Sequence, residues 1–292
     1  MLKIKRAATN SLLALGVLLS SCAKQNPRIA FRDAVIKGDI AGMQEALKEG
    51  ADVNAEDRYG GTAMAYAAQH HHWDIVEFLA AHGANPNALG RGRSTALMQM
   101  NVGMTPLMWA VYSKRADMVN FLIAHHAGAD VLNKMGWSAL NFAIQNDMRG
   151  TANLLIAHGA GLKSLRASGM TPLIQSVWFK HEKEARNLVD HGADVNARDQ
   201  WNMTPLLYAA KEDMQDTAIF LIRHGANTKT FDNEGQTALI WASKNDEPRL
   251  ARLLIKNGAN LGMKNLKGET ALEIAKRLHH ADIAKMIRDA GG

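Results

Sequence analysis

From about residue 28 onward, two kinds of short apolar stretch alternate along the chain. The first kind is a seven-residue run such as Thr105-Pro-Leu-Met-Trp-Ala-Val111 or Thr204-Pro-Leu-Leu-Tyr-Ala-Ala210. The second carries an adjacent apolar pair, Leu122-Ile123, Leu155-Ile156 or Leu221-Ile222, on one face of a helix. Threonine or serine ahead of each first run predicts an N-cap, and proline at the first helical position loses no hydrogen bond that the helix needs. Each second stretch closes at a glycine, the residue that accepts left-handed backbone most readily. The pattern therefore predicts a succession of helix-turn-helix units.

The units are periodic. Thr105, Ser138, Thr171, Thr204, Thr237 and Thr270 follow one another at steps of 33 residues, and Thr62 and Thr95 are also 33 apart. Glycine falls 21 residues after the cap at Gly83, Gly159, Gly192, Gly225, Gly258 and Gly291. Gly-Ala-Asp-Val-Asn occurs intact at 50–54 and 192–196. Across residues 28–292 this resembles the ankyrin repeat family, which implies an all-α solenoid of about eight helix-turn-helix units with finger loops. The first unit, residues 28–58, lacks the Thr-Pro-Leu start but keeps Phe31, Ala34 and Gly38 and reads as an N-terminal cap. The last, residues 268–292, carries Lys276, Arg277, Lys285 and Arg288 and suits a C-terminal cap. His82, His158, His191 and His224 precede the closing glycines, where a helix C-terminus favours them.

Two departures stand out. Thr95 is followed ten residues later by Thr105, an insertion near 95–104 that contains Ala96-Leu97-Met98-Gln99-Met100. It is either a neutral loop expansion or a protruding contact element. His126 stands where the third unit should have glycine. Either the loop is shifted by two residues or His126 takes positive φ.

The N-terminus is of a different kind. Met1–Ser21 has basic Lys3, Lys5 and Arg6, then the apolar run Leu12–Leu19, and reads as a secretory signal. That run is eight residues, far short of the roughly 20 that a spanning helix needs. Leu19-Ser20-Ser21-Cys22 resembles the lipobox of bacterial lipoproteins. The resemblance implies cleavage before Cys22, acylation of Cys22 and a lipid anchor in the membrane. Ala23, where Asp signals inner-membrane retention, implies the periplasmic leaflet of the outer membrane. The organisation expected is a signal peptide at 1–21, a lipidated cysteine with spacer at 22–27, and the repeat domain at 28–292.

Composition narrows the chemistry. The chain of 292 residues is 47% hydrophobic and 21% charged, which excludes disorder throughout. One cysteine excludes an internal disulfide and a cysteine-rich metal site. The net charge of +6 is partly the signal's: without Lys3, Lys5 and Arg6 the balance is 31 basic against 28 acidic residues. That is too mild to predict a nucleic-acid partner. No phosphate-cradling loop, nucleophile elbow or His-Glu-x-x-His is found, so the sequence predicts no enzyme. His70-His71-His72 falls in a turn with no carboxylate in register, and no metal or cofactor is predicted.

The ankyrin resemblance implies partner binding through the finger tips and the concave face of each first helix. Immediately before the caps stand Met104, Trp137, Met170 and Met203, and two residues earlier Met135 and Trp201. Late on the first helices come Tyr112 and the pair Trp178-Phe179. These nine residues form the candidate partner-binding patch, since Trp and Tyr anchors dominate interfaces and Met adapts to irregular surfaces. Packing of the tip Met and Trp side chains on adjacent fingers is the competing reading. Tyr66, Trp109, Phe142, Tyr208 and Trp241, four residues after the caps, read as core. Bacterial ankyrin lipoproteins resemble immunity proteins that neutralise phospholipase effectors of type VI secretion, which implies a secreted lipase toxin as partner. The alternative is a periplasmic scaffold or stabilising factor for an envelope protein such as a catalase.

Overall fold

The computed structural model describes residues 26–57, 60–90, 103–160, 162 and 168–292. The signal segment, Cys22, residues 95–102 of the insertion, Tyr59 and Val102 lie outside the described residues.

Each repeat's apolar runs become two helices, a seven-residue first helix and a nine-residue second helix in every repeat after the first. In chain order the first four pairs are α1 (Pro27–Lys37) with α2 (Ile40–Lys48), α3 (Ala63–Gln69) with α4 (Trp73–Ala81), α5 (Pro106–Tyr112) with α6 (Ala116–Ala124), and α7 (Ala139–Gln145) with α8 (Arg149–Ala157). The next four are α9 (Pro172–Trp178) with α10 (Glu182–Asp190), α11 (Pro205–Lys211) with α12 (Gln215–Arg223), α13 (Ala238–Lys244) with α14 (Pro248–Lys256), and α15 (Ala271–Arg277) with α16 (Ala281–Asp289). The eight units expected from the period are all present. Helix α1 starts at Pro27, capped by Asn26, so the domain begins inside the stretch read as spacer.

The caps act as their residue types dictate. In the seven repeats from α3 onward, the hydroxyl of Thr62, Thr105, Ser138, Thr171, Thr204, Thr237 or Thr270 accepts the amide three residues on. Each such bond is worth about 1 kcal/mol. The first helices stack in one row from α1 to α15, and α8, α10, α12, α14 and α16 stack in a second row behind it. The buried apolar residues form one continuous cluster from Phe31 to Ile287, so every repeat is stabilised by its neighbours.

His126 resolves the departure in the third repeat. Its φ is 64°, so it takes the glycine's left-handed place and the loop is not shifted. The rung that follows is unchanged. The Asn87 amide donates to the His126 carbonyl at 3.4 Å, and Asn87 Oδ1 accepts from Gly128 N at 2.6 Å. Asn196 makes the same two bonds to Gly225 O and Asn227 N. The histidines before the closing glycines also cap. Nδ1 of His82, His191 and His224 donates to the carbonyls of Phe78, Asn187 and Phe220 at 2.8–2.9 Å, which satisfies groups that a helix end leaves open.

One rung between repeats carries a pH dependence. At the entry to α10, His181 Nε2 lies 3.4 Å from Asp147 of the preceding repeat. Two repeats later the same pair of positions holds Glu247 and Asp213. Glu247 is 1% exposed, and neither of its carboxylate oxygens has a hydrogen-bond partner. Burial first, then the neighbouring Asp213, pushes its carboxyl up to about 8 from an ordinary 4.5. A folded-state value above the unfolded one means the folded chain holds a proton that the unfolded chain releases. The stability this contributes is complete below about pH 4.5 and is lost as pH rises through 8. At about 1.4 kcal/mol per unit, a loss on the order of 5 kcal/mol across that window is expected. Glu247→Gln should flatten urea midpoints measured from pH 5 to pH 8.5, whereas an unchanged slope in the variant would assign the dependence to another group.

Candidate functional site

Five of the fingers are tight hairpins clamped by an Asp or Asn five residues before the cap, Asp57, Asn133, Asp199, Asp232 and Asn265. Asn133 Oδ1 accepts the amides of Met135 and Trp137, each at 2.9 Å, and the Asn133 amide donates to the Trp137 carbonyl at 2.8 Å. Asp199 does the same for Trp201 and Met203, and Asp232 for Glu234 and Gln236. The turn between them needs left-handed backbone, given by Gly136 (φ 73°), Gly169 (φ 75°) and Gly235 (φ 72°), with Asn202 (φ 60°) in the sixth repeat. At Gly235 a Cβ would also come within 3.0 Å of the Lys264 carbonyl on the next finger, so only glycine fits.

That hairpin corrects four of the nine candidate residues. Met104 (0% exposed), Trp137 (2%), Met170 (1%) and Met203 (5%) are buried. They are not tips. In the clamped fingers of Trp137 and Met203 the residue just before the cap is turned inward, and the left-handed residue ahead of it, Gly136 or Asn202, reverses the chain so that the side chain two positions earlier, Met135 or Trp201, faces solvent. Trp137 lies 4.8 Å, ring centre to ring centre, from Phe142 on α7. The remaining five, Tyr112, Met135, Trp178, Phe179 and Trp201, are 38–47% exposed.

The structure stacks two of these five, Trp178 and Phe179, and ties the backbone of a third, Trp201, to the same assembly. The Trp178 ring stacks on Phe179 at 5.7 Å and on Tyr208 of the next repeat at 6.4 Å. The Tyr208 hydroxyl donates to Asp199 Oδ2 at 2.7 Å, and Asp199 Oδ1 holds the Trp201 amide. Burial, then the Asp199 carboxylate, keeps the Tyr208 phenol above the ordinary tyrosine range, so this link is intact at every physiological pH. A first-helix aromatic platform and a finger tryptophan are thus joined through two buried side chains. Tyr112 lies two repeats earlier, edge-on to Trp109 at 5.8 Å and to Phe142 at 6.2 Å, with exposed Gln145 at the equivalent place between it and Trp178. Met135 is exposed and is held through its clamped backbone amide.

Sequence reasoning missed two sets of residues. The Asp57, Asn133, Asp199, Asp232 and Asn265 clamps each stand five residues before a cap and were there to be found. Trp241, read as core, is half-buried, and two lysines stand over its ring. Lys244 Nζ is 4.1 Å from the ring centre and Lys211 Nζ 5.8 Å. Their signal was lysine at one helix position in two successive repeats beside an aromatic one turn back. His71 of the triple histidine has φ 61° and meets Ser113 Oγ at 3.0 Å. Among the described residues no group of three His, Cys, Asp or Glu is placed to hold a metal ion, and no helix is long and apolar enough to cross a membrane.

Comparison with known proteins agrees with this architecture. A family model for ankyrin repeats (three copies) matches in overlapping stretches, residues 6–90, 31–134, 89–166, 107–199, 149–232, 197–265 and 227–291. Among curated proteins the chain is similar to the 2-5A-dependent ribonuclease of Mus musculus (43% identity over 63 residues, 21% of this chain and 9% of that protein). It is also similar to the putative ankyrin repeat protein L371 of Acanthamoeba polyphaga mimivirus (26% over 136 residues, 45% of this chain and 17% of that protein). The chain thus spans less than a fifth of the length of either relative. Among solved structures, an ankyrin repeat domain from Acinetobacter baumannii AYE superposes with a TM-score of 0.59 at 26% identity, covering 64% of this chain and 97% of that one.

Proposed function

The chain belongs to the ankyrin repeat family, and from that premise we propose that it is a non-enzymatic protein-binding lipoprotein that holds its partner on the first-helix face. Ankyrin repeats are protein-interaction modules, and the matches include no catalytic family that spans the chain. The observation that carries the reading is the Trp178, Phe179 and Trp201 cluster. Large aromatic side chains left 39–46% exposed on a rigid scaffold are what an interface buries.

The finer proposal is an immunity protein that neutralises a membrane-attacking phospholipase effector of type VI secretion. Lipidation at Cys22 would hold the domain at the periplasmic face of the outer membrane, beside the surface such a toxin attacks. The alternative is a scaffold or stabilising factor for an envelope protein such as a catalase. One experiment separates these. A photo-crosslinking amino acid is placed at Gln145, on the first-helix face between Tyr112 and Trp178, and a control at exposed Arg252 on a second helix. In cells carrying the chain and its neighbouring genes, the Gln145 adduct should contain a lipase-like protein, sit in the membrane fraction, and leave that fraction in Cys22→Ser. A catalase in the adduct would establish the alternative. Adducts from Arg252 alone would place the interface elsewhere.

A further inference from the structure

The aromatic platform does not end at Tyr208. One repeat on, Trp241 occupies the helix position equivalent to Tyr208, and its ring is overlaid by the ammonium groups of Lys244 and Lys211. Lys244 Nζ also donates to Gln236 Oε1 at 3.1 Å, a neutral acceptor. Neither lysine has an ion-pair partner among the described residues. The basic side chains to either side differ. Lys180 lies 3.3 Å from Glu212, and Arg277 lies 2.9 Å from Glu269. Glu234, Glu269 and Asp232 are near enough to favour the Lys244 charge, yet burial and Lys267 outweigh them and hold its ammonium below the ordinary lysine range. Two cations are therefore fixed over one ring without a carboxylate of their own, and they hold the helix position of exposed Trp178 in the next two repeats.

We infer that the first-helix face takes an acidic peptide segment of the partner, with apolar side chains on Trp178 and Phe179 and one or two carboxylates at Lys211 and Lys244. This rests on the reading of that face as the partner surface. Charge complementarity selects the class. A carboxylate there gains two charge-assisted contacts and relieves the repulsion between two unpaired ammonium groups, whereas a basic segment would be repelled. Spacing adds a constraint. Neighbouring helices pack about 8–10 Å apart, and an extended peptide advances about 3.3 Å per residue. The acidic residues should therefore lie about three to six residues from the apolar anchor.

The test uses a phage library of random 12-residue peptides panned on the immobilised full chain, followed by titration of the selected peptides as synthetic probes. Enriched peptides should pair an aromatic or large aliphatic residue with Asp or Glu at that spacing. Their affinity should fall at least tenfold for Lys211→Glu with Lys244→Glu and be restored when Lys replaces the peptide's acids. Because Glu234, Glu269 and Asp232 stand near Lys244, Lys211→Gln with Lys244→Gln is the stability control: it adds no negative charge there, and should lose the acidic peptides while melting close to the parent. Apolar peptides that ignore the lysines but lose binding to Trp178→Ala would overturn the acidic segment and leave the aromatic surface standing. Peptides indifferent to Trp178→Ala as well, or no enrichment at all, would overturn both.

Discussion

Trp137→Ala should destabilise the fold by about 3–5 kcal/mol and leave partner affinity, measured on the folded fraction, nearly unchanged. The Trp137 ring is 2% exposed and packs on Phe142 at 4.8 Å, and Phe142 in turn supports exposed Tyr112. Truncation removes a large buried side chain and leaves a cavity beside Phe142 that the close-packed interior closes only in part. The backbone clamp from Asn133 survives, since it uses the amide and carbonyl of residue 137 rather than its ring. Urea denaturation gives the effect directly. A midpoint within error of the parent would mean that the ring contributes no packing and that the inward turn of the finger is wrong.

Trp178→Ala and Phe179→Ala should show the opposite pattern. Their side chains are 44% and 39% exposed, so the folded chain loses little when they are shortened. Bound, they would be covered, and truncating an interface anchor of this kind costs about 2 kcal/mol or more, on the order of a thirtyfold loss of affinity. Titration of the crosslinked partner against each variant, with melting recorded alongside, checks both halves. Stable variants that bind normally would remove the platform from the interface.

The fold was legible because its signals are local and repeated. A cap hydroxyl with a proline or alanine behind it marks the same helix-turn-helix unit seven times, a closing glycine ends six of them, and stacking follows from the apolar faces. The site was half legible. Tyr112, Trp178 and Phe179 lie late on a first helix, where helical periodicity alone fixes which side faces out. Met104, Trp137, Met170 and Met203 each follow a left-handed residue in a finger turn, which sets their facing, and at Trp137 and Met203 an Asx side chain also captures the amide. A count of residues back from the cap does not contain that information. Trp241 was misjudged for a third reason. Its position is core-like in Trp109 and Phe142, at 6% and 2% exposure, but two lysines rather than apolar neighbours cover it.

The central claim is that the exposed tryptophans of the first-helix face and its fingers, and not the buried ones, meet the partner. Its most direct measurement is the indole N–H spectrum of chain labelled with ¹⁵N-tryptophan, which holds six tryptophans, recorded as unlabelled partner is added. Single Trp→Phe variants assign each signal. Trp178 and Trp201 should shift or broaden at substoichiometric partner, whereas Trp73, Trp109 and Trp137, buried in the free chain, should stay in place. Movement of Trp73 or Trp137 with Trp178 and Trp201 unmoved would contradict the account.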